Sequence, residues 1–392
     1  MTVPDLGLVR PEALPGRWLF ILIAVVGLLG CSMPGPVESL LVMQDIAVGT
    51  GDEKTLLKRL RPSVSCEEVQ FSGSDTSYVG DIYRGGDTIG AAIVLVPGAV
   101  PSGKNDPRLV AFATTLARAN FLVLVPDIAN MRALKVRPQD VDAIADAVSE
   151  LRDRLPSLPG ATAGEISVGI GAFSYAVGPA VLAAMRQDIR AEVEFIFAIG
   201  GYYDLVQAIT YITTGHYRVG GRWQYRPAEA HGRWVFLASN LDRLAPAERP
   251  ALAELIARSQ EHPEADVADL VGRLGPQGWA VYALVDNRDP ELVPGLVAAL
   301  PAAVRRDIEA LDLSRQDLTS LNAQVLLIHG RDDPLIPYTE SVAFAHALGP
   351  DRASLYVLSG LSHVDVDPGT IDLWRWWRAT REVLMQRRTA GS

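Results

Sequence analysis

The chain has 392 residues, is 48% hydrophobic and carries a formal charge of −10. That is enough apolar material for a full core, as one large α/β domain with an insertion or as two domains, and the acidic balance argues against a nucleic-acid partner, because such a chain repels phosphates. Two cysteines, Cys31 and Cys66, and six scattered histidines with no helical ligand spacing leave no metal site, and nothing in the pattern asks for a cofactor.

Arg10 and Arg17 precede the apolar run Trp18–Leu29, which is short for a bilayer span but has the length of a signal-peptide h-region. It ends at Leu28-Leu29-Gly30-Cys31, which resembles the lipobox of bacterial lipoproteins, in which the cysteine is lipidated. Residues 1–31 therefore read as a lipoprotein signal, with an ordinary signal or an uncleaved anchor as the alternative. A lipidated Cys31 leaves Cys66 without a partner; an unprocessed chain allows a Cys31–Cys66 bridge. Lys and Arg do not cluster beside Cys31 in sequence, so the anchor would rest on acyl chains.

Residues 32–64 read as a tether leading into the fold, with a short helix at Leu56–Leu60. Residues 65–200 carry strands and helices in alternation. Glu67 to Tyr83 suggests two antiparallel strands around a Ser72–Asp75 turn. The continuous apolar runs Ala91–Val96 and Phe121–Val125 read as parallel strands covered on both faces, with amphipathic helices at Asp106–Ala119 and Gln139–Leu155. Ile166, Val168 and Ile170 open a short strand that runs into Ser174 and a small-residue helix, and Val193–Ile199 gives another strand. This βαβ spacing predicts a doubly wound, mostly parallel sheet with ligands at the carboxyl ends of its strands. From 201 to 322 the alternation breaks down into helical stretches (Ala251–Gln260, Ala265–Leu274, Leu292–Leu311) with no convincing strand, which predicts a helical cap insertion. The core resumes over 323–392, with a strand from Ala323 to His329, a helix at Thr339–Leu348, a strand at Ser354–Leu358 and a helix at Thr370–Gln386 that packs Leu373, Trp374, Trp377 and Val383 on the sheet.

The turn Ala172-Phe173-Ser174-Tyr175-Ala176 occupies the place of a G-x-S-x-G elbow, with alanine for both glycines. A serine there stands above the sheet at a helix N-terminus, where backbone N–H groups favour an oxyanion. Hydrolysis by serine needs an imidazole and a carboxylate as well. Asp333 and His363 each follow a predicted core strand, which gives the chain order Ser, Asp, His. In that order and in His329-Gly330-Arg331-Asp332-Asp333-Pro334-Leu335-Ile336-Pro337, the sequence resembles the α/β-hydrolase superfamily, whose acid segment reads H-G-x-x-D-x-x-I/V-P. Gly360-Leu361-Ser362-His363 is similar to the loop that bears that family's histidine.

The resemblance implies Ser174 as nucleophile, His363 as base and Asp333 as acid, with Asp332 as a fallback and Asp365 and Asp367 behind it. It also implies an oxyanion hole from the amide of Tyr175 and that of Ala99 or Val100, in the segment where Val94-Leu95-Val96-Pro97-Gly98 carries proline for the family's histidine. Tyr202 and Tyr203 are candidate pocket residues, and His329 is expected to pack behind the acid loop. The function implied is hydrolysis of a small-molecule carboxylic ester by an exported, membrane-tethered protein. A peptidase or amidase with the same triad and a non-catalytic lipoprotein scaffold are the alternatives.

Overall fold

The computed structural model describes residues 35–51, 54–73, 76–135, 137–159, 161, 166–262, 265–366 and 372–387. The apolar run before residue 30, Cys31 and Asp367 lie outside them. The main sheet is built from β1 (Ser65–Ser72), β2 (Ser77–Arg84), β3 (Ala91–Val96), β4 (Phe121–Pro126), β5 (Ser167–Phe173) and β6 (Val193–Ile199), followed, after an insertion that holds β7 (His216–Val219) and β8 (Arg222–Tyr225), by β9 (Gln324–Gly330) and β10 (Ala353–Leu358). Its order is β1-β2-β4-β3-β5-β6-β9-β10, antiparallel at the β1–β2 and β2–β4 pairs and parallel elsewhere.

The apolar runs of β3 and β4 are buried at every position because helices cover both faces. Their alternate residues serve two cores. Ala92, Val94, Val96, Leu122 and Leu124 face one, and Ala91, Ile93, Leu95, Phe121 and Val123 face the other. The helices of five residues or more are α1 (Gly35–Val48), α2 (Leu56–Leu60), α3 (Pro107–Arg118), α4 (Asp140–Arg154), α5 (Val177–Ala184), α6 (Leu205–Thr214), α7 (Ala230–Asn240), α8 (Arg249–Glu261), α9 (Pro276–Asp286), α10 (Val293–Ala299), α11 (Ala302–Leu311), α12 (Thr339–Leu348) and α13 (Leu373–Met385). On the first face lie α4, α5 and α12, through Ile144, Val181 and Phe344; on the second lie α1, α3 and α13, through Val42, Leu116 and Trp376. Helices α6 to α11 enclose a third core of their own, around Leu252, Leu255, Val281 and Leu284.

Four expectations need correction. Residues 35–48, expected to be a tether, form a docked helix: Val42 and Met43 are core residues, and buried Asp45 accepts from the Thr115 hydroxyl at 2.7 Å and from Thr55, with Arg118 at 3.7 Å. The insertion expected to lack strands contains the β7–β8 hairpin, closed by Gly220 and Gly221 at φ 56° and 78°, the turn geometry that matches strand twist. The helical stretch 292–311 is two helices, α10 and α11, divided at Leu300-Pro301, because proline has no N–H for the helix ladder. The C-terminal helix also has a different phase. Trp376 and Val383 face the core, while Leu373 and Trp374 are exposed.

Because Asp45 ties α1 to α3, Asp45→Ala should cost about 3 kcal/mol, measured by urea unfolding. An unchanged midpoint would mean that α1 contributes no more than a tether.

Candidate active site

β5 stays extended through Phe173 (φ −119°), and the chain then turns at Ser174, φ 54°, into a single 3-10 turn, Ser174–Ala176, that leads into α5. Ala172 and Ala176 are both fully buried. The turn therefore closes with methyl groups where glycines were expected, and the unfavourable backbone falls on the serine, at about 1–2 kcal/mol for a left-handed non-glycine residue. The loop after β3 runs alongside: a Cβ placed on Gly98 would lie 3.8 Å from that of Ser174.

Asp333 and His363 meet at the same sheet edge, beyond β9 and β10. His363, itself at φ 54°, has its Nδ1 2.8 Å from Asp333 Oδ2. Asp333 is fully buried, and its Oδ1 accepts from the amides of Leu335 and Ile336 at 2.8 and 2.9 Å. Burial alone would raise this carboxyl, but hydrogen bonds from His329 and His363 outweigh it and hold the group well below the usual carboxylate range. A carboxylate only accepts, so His363 Nδ1 donates and Nε2 of the neutral ring is left free to take a proton. His329 packs behind the acid: its Nε2 donates to the Ile336 carbonyl at 2.9 Å and lies 3.3 Å from Asp333 Oδ2, while its Nδ1 accepts from the Ser341 hydroxyl at 2.7 Å. Asp332 faces solvent and pairs with Arg226 at 2.8 Å; it is Asp333 that meets the imidazole.

Gly200, just after β6, stands beneath this pair. A Cβ there would sit 3.3 Å from His363 Nδ1 and 3.4 Å from Asp333 Oδ2, and the backbone is at φ 64°. Any side chain would crowd the acid–imidazole contact.

Ser174 opens on a cavity of about 170 Å3 between the core and the insertion. Its core side is Ala99, Tyr175 and Tyr202, and its other walls are apolar residues such as Ile209, Ile212 and Phe236, with Asn240 and Asp307 among the polar ones. Ala99 and Tyr175, two of the three expected amide donors, line it. Val100 does not, and its carbonyl accepts from Gly103 N–H at 3.0 Å. Tyr202 lines the cavity, stacks on Tyr175 with centroids 6.4 Å apart and donates to the Leu311 carbonyl at 3.0 Å. Tyr203 is no pocket residue. Its ring stacks on Phe344, with centroids 5.5 Å apart.

Several buried polar residues went unrecognised in the sequence. Tyr175 donates to Asp140 Oδ2 at 3.2 Å and accepts from Arg137 N–H at 3.0 Å. Arg137, nearly all buried, reaches from the core to the Ser239 carbonyl at 2.6 Å and Asp242 at 2.5 Å. Glu340, on α12, accepts from the amides of Tyr203 and Asp204 at 3.0 and 2.8 Å at the point where the chain leaves the sheet for the insertion. Burial, with repulsion from Asp204 and Asp312, pushes its carboxyl up to about 8 despite those two bonds. Charged side chains between apolar runs gave no signal for any of these.

No protein-family model matches the chain, and no curated protein matches it in sequence. Among solved structures it is similar to a variant of the rice cell wall degrading esterase LipA from Xanthomonas oryzae, at a TM-score of 0.53 and 14% identity over 82% of this chain and 88% of that one. The fold is that of the α/β hydrolases. Lower similarity, at TM-scores of 0.49 and 0.45, links it to the Pyrococcus horikoshii acylaminoacyl peptidase (12% identity, 87% of this chain) and to a Pyrobaculum calidifontis esterase (15% identity, 93% of this chain and 95% of that one). The chain spans 44% of the length of that peptidase.

Two outcomes follow for this α/β-hydrolase core. Ser174→Gly relieves the left-handed backbone and should be more stable than Ser174→Ala by about 1 kcal/mol in urea unfolding; equal stability would mean that the turn is unstrained. A Glu340 carboxyl raised from 4.5 to about 8 contributes stability that is full below its unfolded value and is lost as pH rises through its folded value. The difference in unfolding free energy between wild type and Glu340→Gln should therefore shift against the wild type between roughly pH 4.5 and 8; a constant difference across that window would place the carboxyl in its ordinary range.

Proposed function

We propose that the protein is a serine hydrolase that cleaves a carboxylic ester with a small apolar acyl group through an acyl-enzyme. The observation that carries this reading is the 2.8 Å Asp333–His363 hydrogen bond at the same sheet edge as a serine held at φ 54° over an apolar cavity. In the reaction Ser174 Oγ attacks the ester carbonyl carbon and its proton passes to His363 Nε2. The amide of Tyr175 and that of Ala99 or Val100 bind the oxyanion; Ala99 is favoured because it lines the cavity. The leaving alkoxide takes the proton from His363, and water repeats the sequence to release the acid. Asp333 stays ionised throughout, fixing the imidazole tautomer and stabilising its charge.

The cavity supports the choice of substrate. A space of about 150 Å3 holds a benzene-sized group, so about 170 Å3 accommodates an acyl chain of roughly six carbons. Among the described residues its lining contains no lysine or arginine to receive a peptide carboxylate. The run Trp18–Leu29 and the lipobox at Cys31 support export to the bacterial cell envelope, with attachment to its membrane.

Hydrolysis of p-nitrophenyl hexanoate tests this directly. Asp333→Asn should lower kcat about 10³–10⁴-fold with KM little changed. The corresponding anilide should be cleaved far more slowly than the ester. Preference for the anilide would indicate a peptidase, and no turnover by folded wild type with any acyl ester would leave a binding scaffold.

A further inference from the structure

The described chain begins at one end of α1, and three elements converge there. Trp377 Nε1 donates to the Pro36 carbonyl at 3.1 Å, and Glu38 bridges Arg61, next to α2, at 2.7 Å and Arg387, beyond α13, at 2.6 Å. Beside these contacts, among the described residues, the surface carries exposed apolar side chains. Trp374 is 64% exposed and stacks on Trp377 with centroids 5.0 Å apart, and Leu373 and Leu60 are 56% and 69% exposed. Trp374, Trp377, Arg378 and Arg381 recur at the spacing of one helical face, with the Arg381 guanidinium 5.8 Å from the Trp377 ring centroid.

The charge beside this patch opposes that of the whole chain. Within a protein of net charge −10, residues 54–61 (KTLLKRLR) hold four basic residues and no acid, and α13 holds three arginines and one glutamate. These residues are remote from Cys31 in sequence, and folding brings them to the helix that follows it.

Distance identifies the occupant. Five residues, Gly30–Pro34, separate Leu29 from the start of α1, and they span at most about 20 Å when extended. If the apolar run stays in a bilayer as an uncleaved anchor, or an acyl chain on Cys31 enters it after cleavage, the tryptophan patch is held near its surface. Among the described residues no helix is long and apolar enough to cross a membrane, so this part of the chain meets lipid through its surface. Tryptophan prefers the headgroup level, and each basic side chain near an anionic leaflet adds about 1 kcal/mol. We propose that the exposed edge of α13, centred on Trp374 beside the half-buried Trp377 and flanked by Arg378 and Arg381, rests on the headgroup layer of an anionic membrane and orients the α/β-hydrolase core on it. This rests on the membrane reading of Trp18–Leu29 and not on the catalytic reading.

The test uses the full chain in phosphatidylethanolamine–phosphatidylglycerol vesicles, with and without acyl chains brominated near the headgroup. Tryptophan emission is compared for wild type, Trp374→Phe and Trp18→Phe, so that each difference isolates one indole. Emission from Trp374 should fall by roughly twofold in brominated lipid, as expected of an indole at the interface. Quenching of Trp18 without quenching of Trp374 would overturn the proposed surface while leaving the anchor, and quenching of neither would overturn both. Unquenched Trp374 whose emission shifts to the blue as protein concentration rises would assign the patch to a second copy of the chain instead.

Discussion

A buried carboxylate costs several kcal/mol unless its lone pairs are answered, and the arrangement around the active site is set by the need to answer those of Asp333. Two amides of its own turn take Oδ1, and the His363 imidazole takes Oδ2, with His329 Nε2 3.3 Å from the same oxygen. The insertion holds the backbone of the same residue, with the Tyr211 hydroxyl donating to the Asp333 main-chain carbonyl at 3.1 Å. With the carboxylate held ionised, His363 donates Nδ1–H to it, which fixes the tautomer of the neutral ring. The positive φ at both Ser174 and His363 is strain of the kind that persists only where surrounding packing over-determines it.

The seam between core and insertion is held by buried polar groups as well. Arg137 crosses it to reach Ser239 and Asp242, Tyr202 crosses it to the Leu311 carbonyl, and Glu340 collects the two amides at its start. Each is a buried polar group whose partner lies on the other side, so separating the layers would strand it without a hydrogen bond. The cavity beside Ser174 is therefore bounded by a wall that is polar at its attachments and mostly apolar along the cavity, with Ser239, Asn240 and Asp307 as its polar members.

Much of the core was legible because its signals are local. The unbroken apolar runs of β3, β4 and β9 can be satisfied only by cover on both faces, and the acid loop combines a strand end with an immediate turn. The misses share a physical cause. α1 mixes Asp45 with apolar residues, and nothing in sequence says that Thr55, Thr115 and Arg118 will surround that carboxylate. The β7–β8 hairpin has mostly exposed strands, so its one signal was Gly220-Gly221. In α13 the buried set Trp376, Ala379, Thr380, Val383 and Leu384 does follow the helical repeat, and Trp377 packs against the core as expected, but starting the count at Leu373 also puts Trp374 inside and leaves Trp376 out. Tyr203 differs from Tyr202 only by the side of the chain on which it falls.

The central claim is that Ser174 is an activated nucleophile oriented to His363. Labelling of the intact protein with a fluorophosphonate, followed by peptide mapping by mass spectrometry, reads this without assuming a substrate. The account predicts a single adduct on Ser174, abolished in Ser174→Ala and slowed by orders of magnitude in His363→Ala. A folded wild-type protein that takes up no label, or that carries it on another residue, would contradict it.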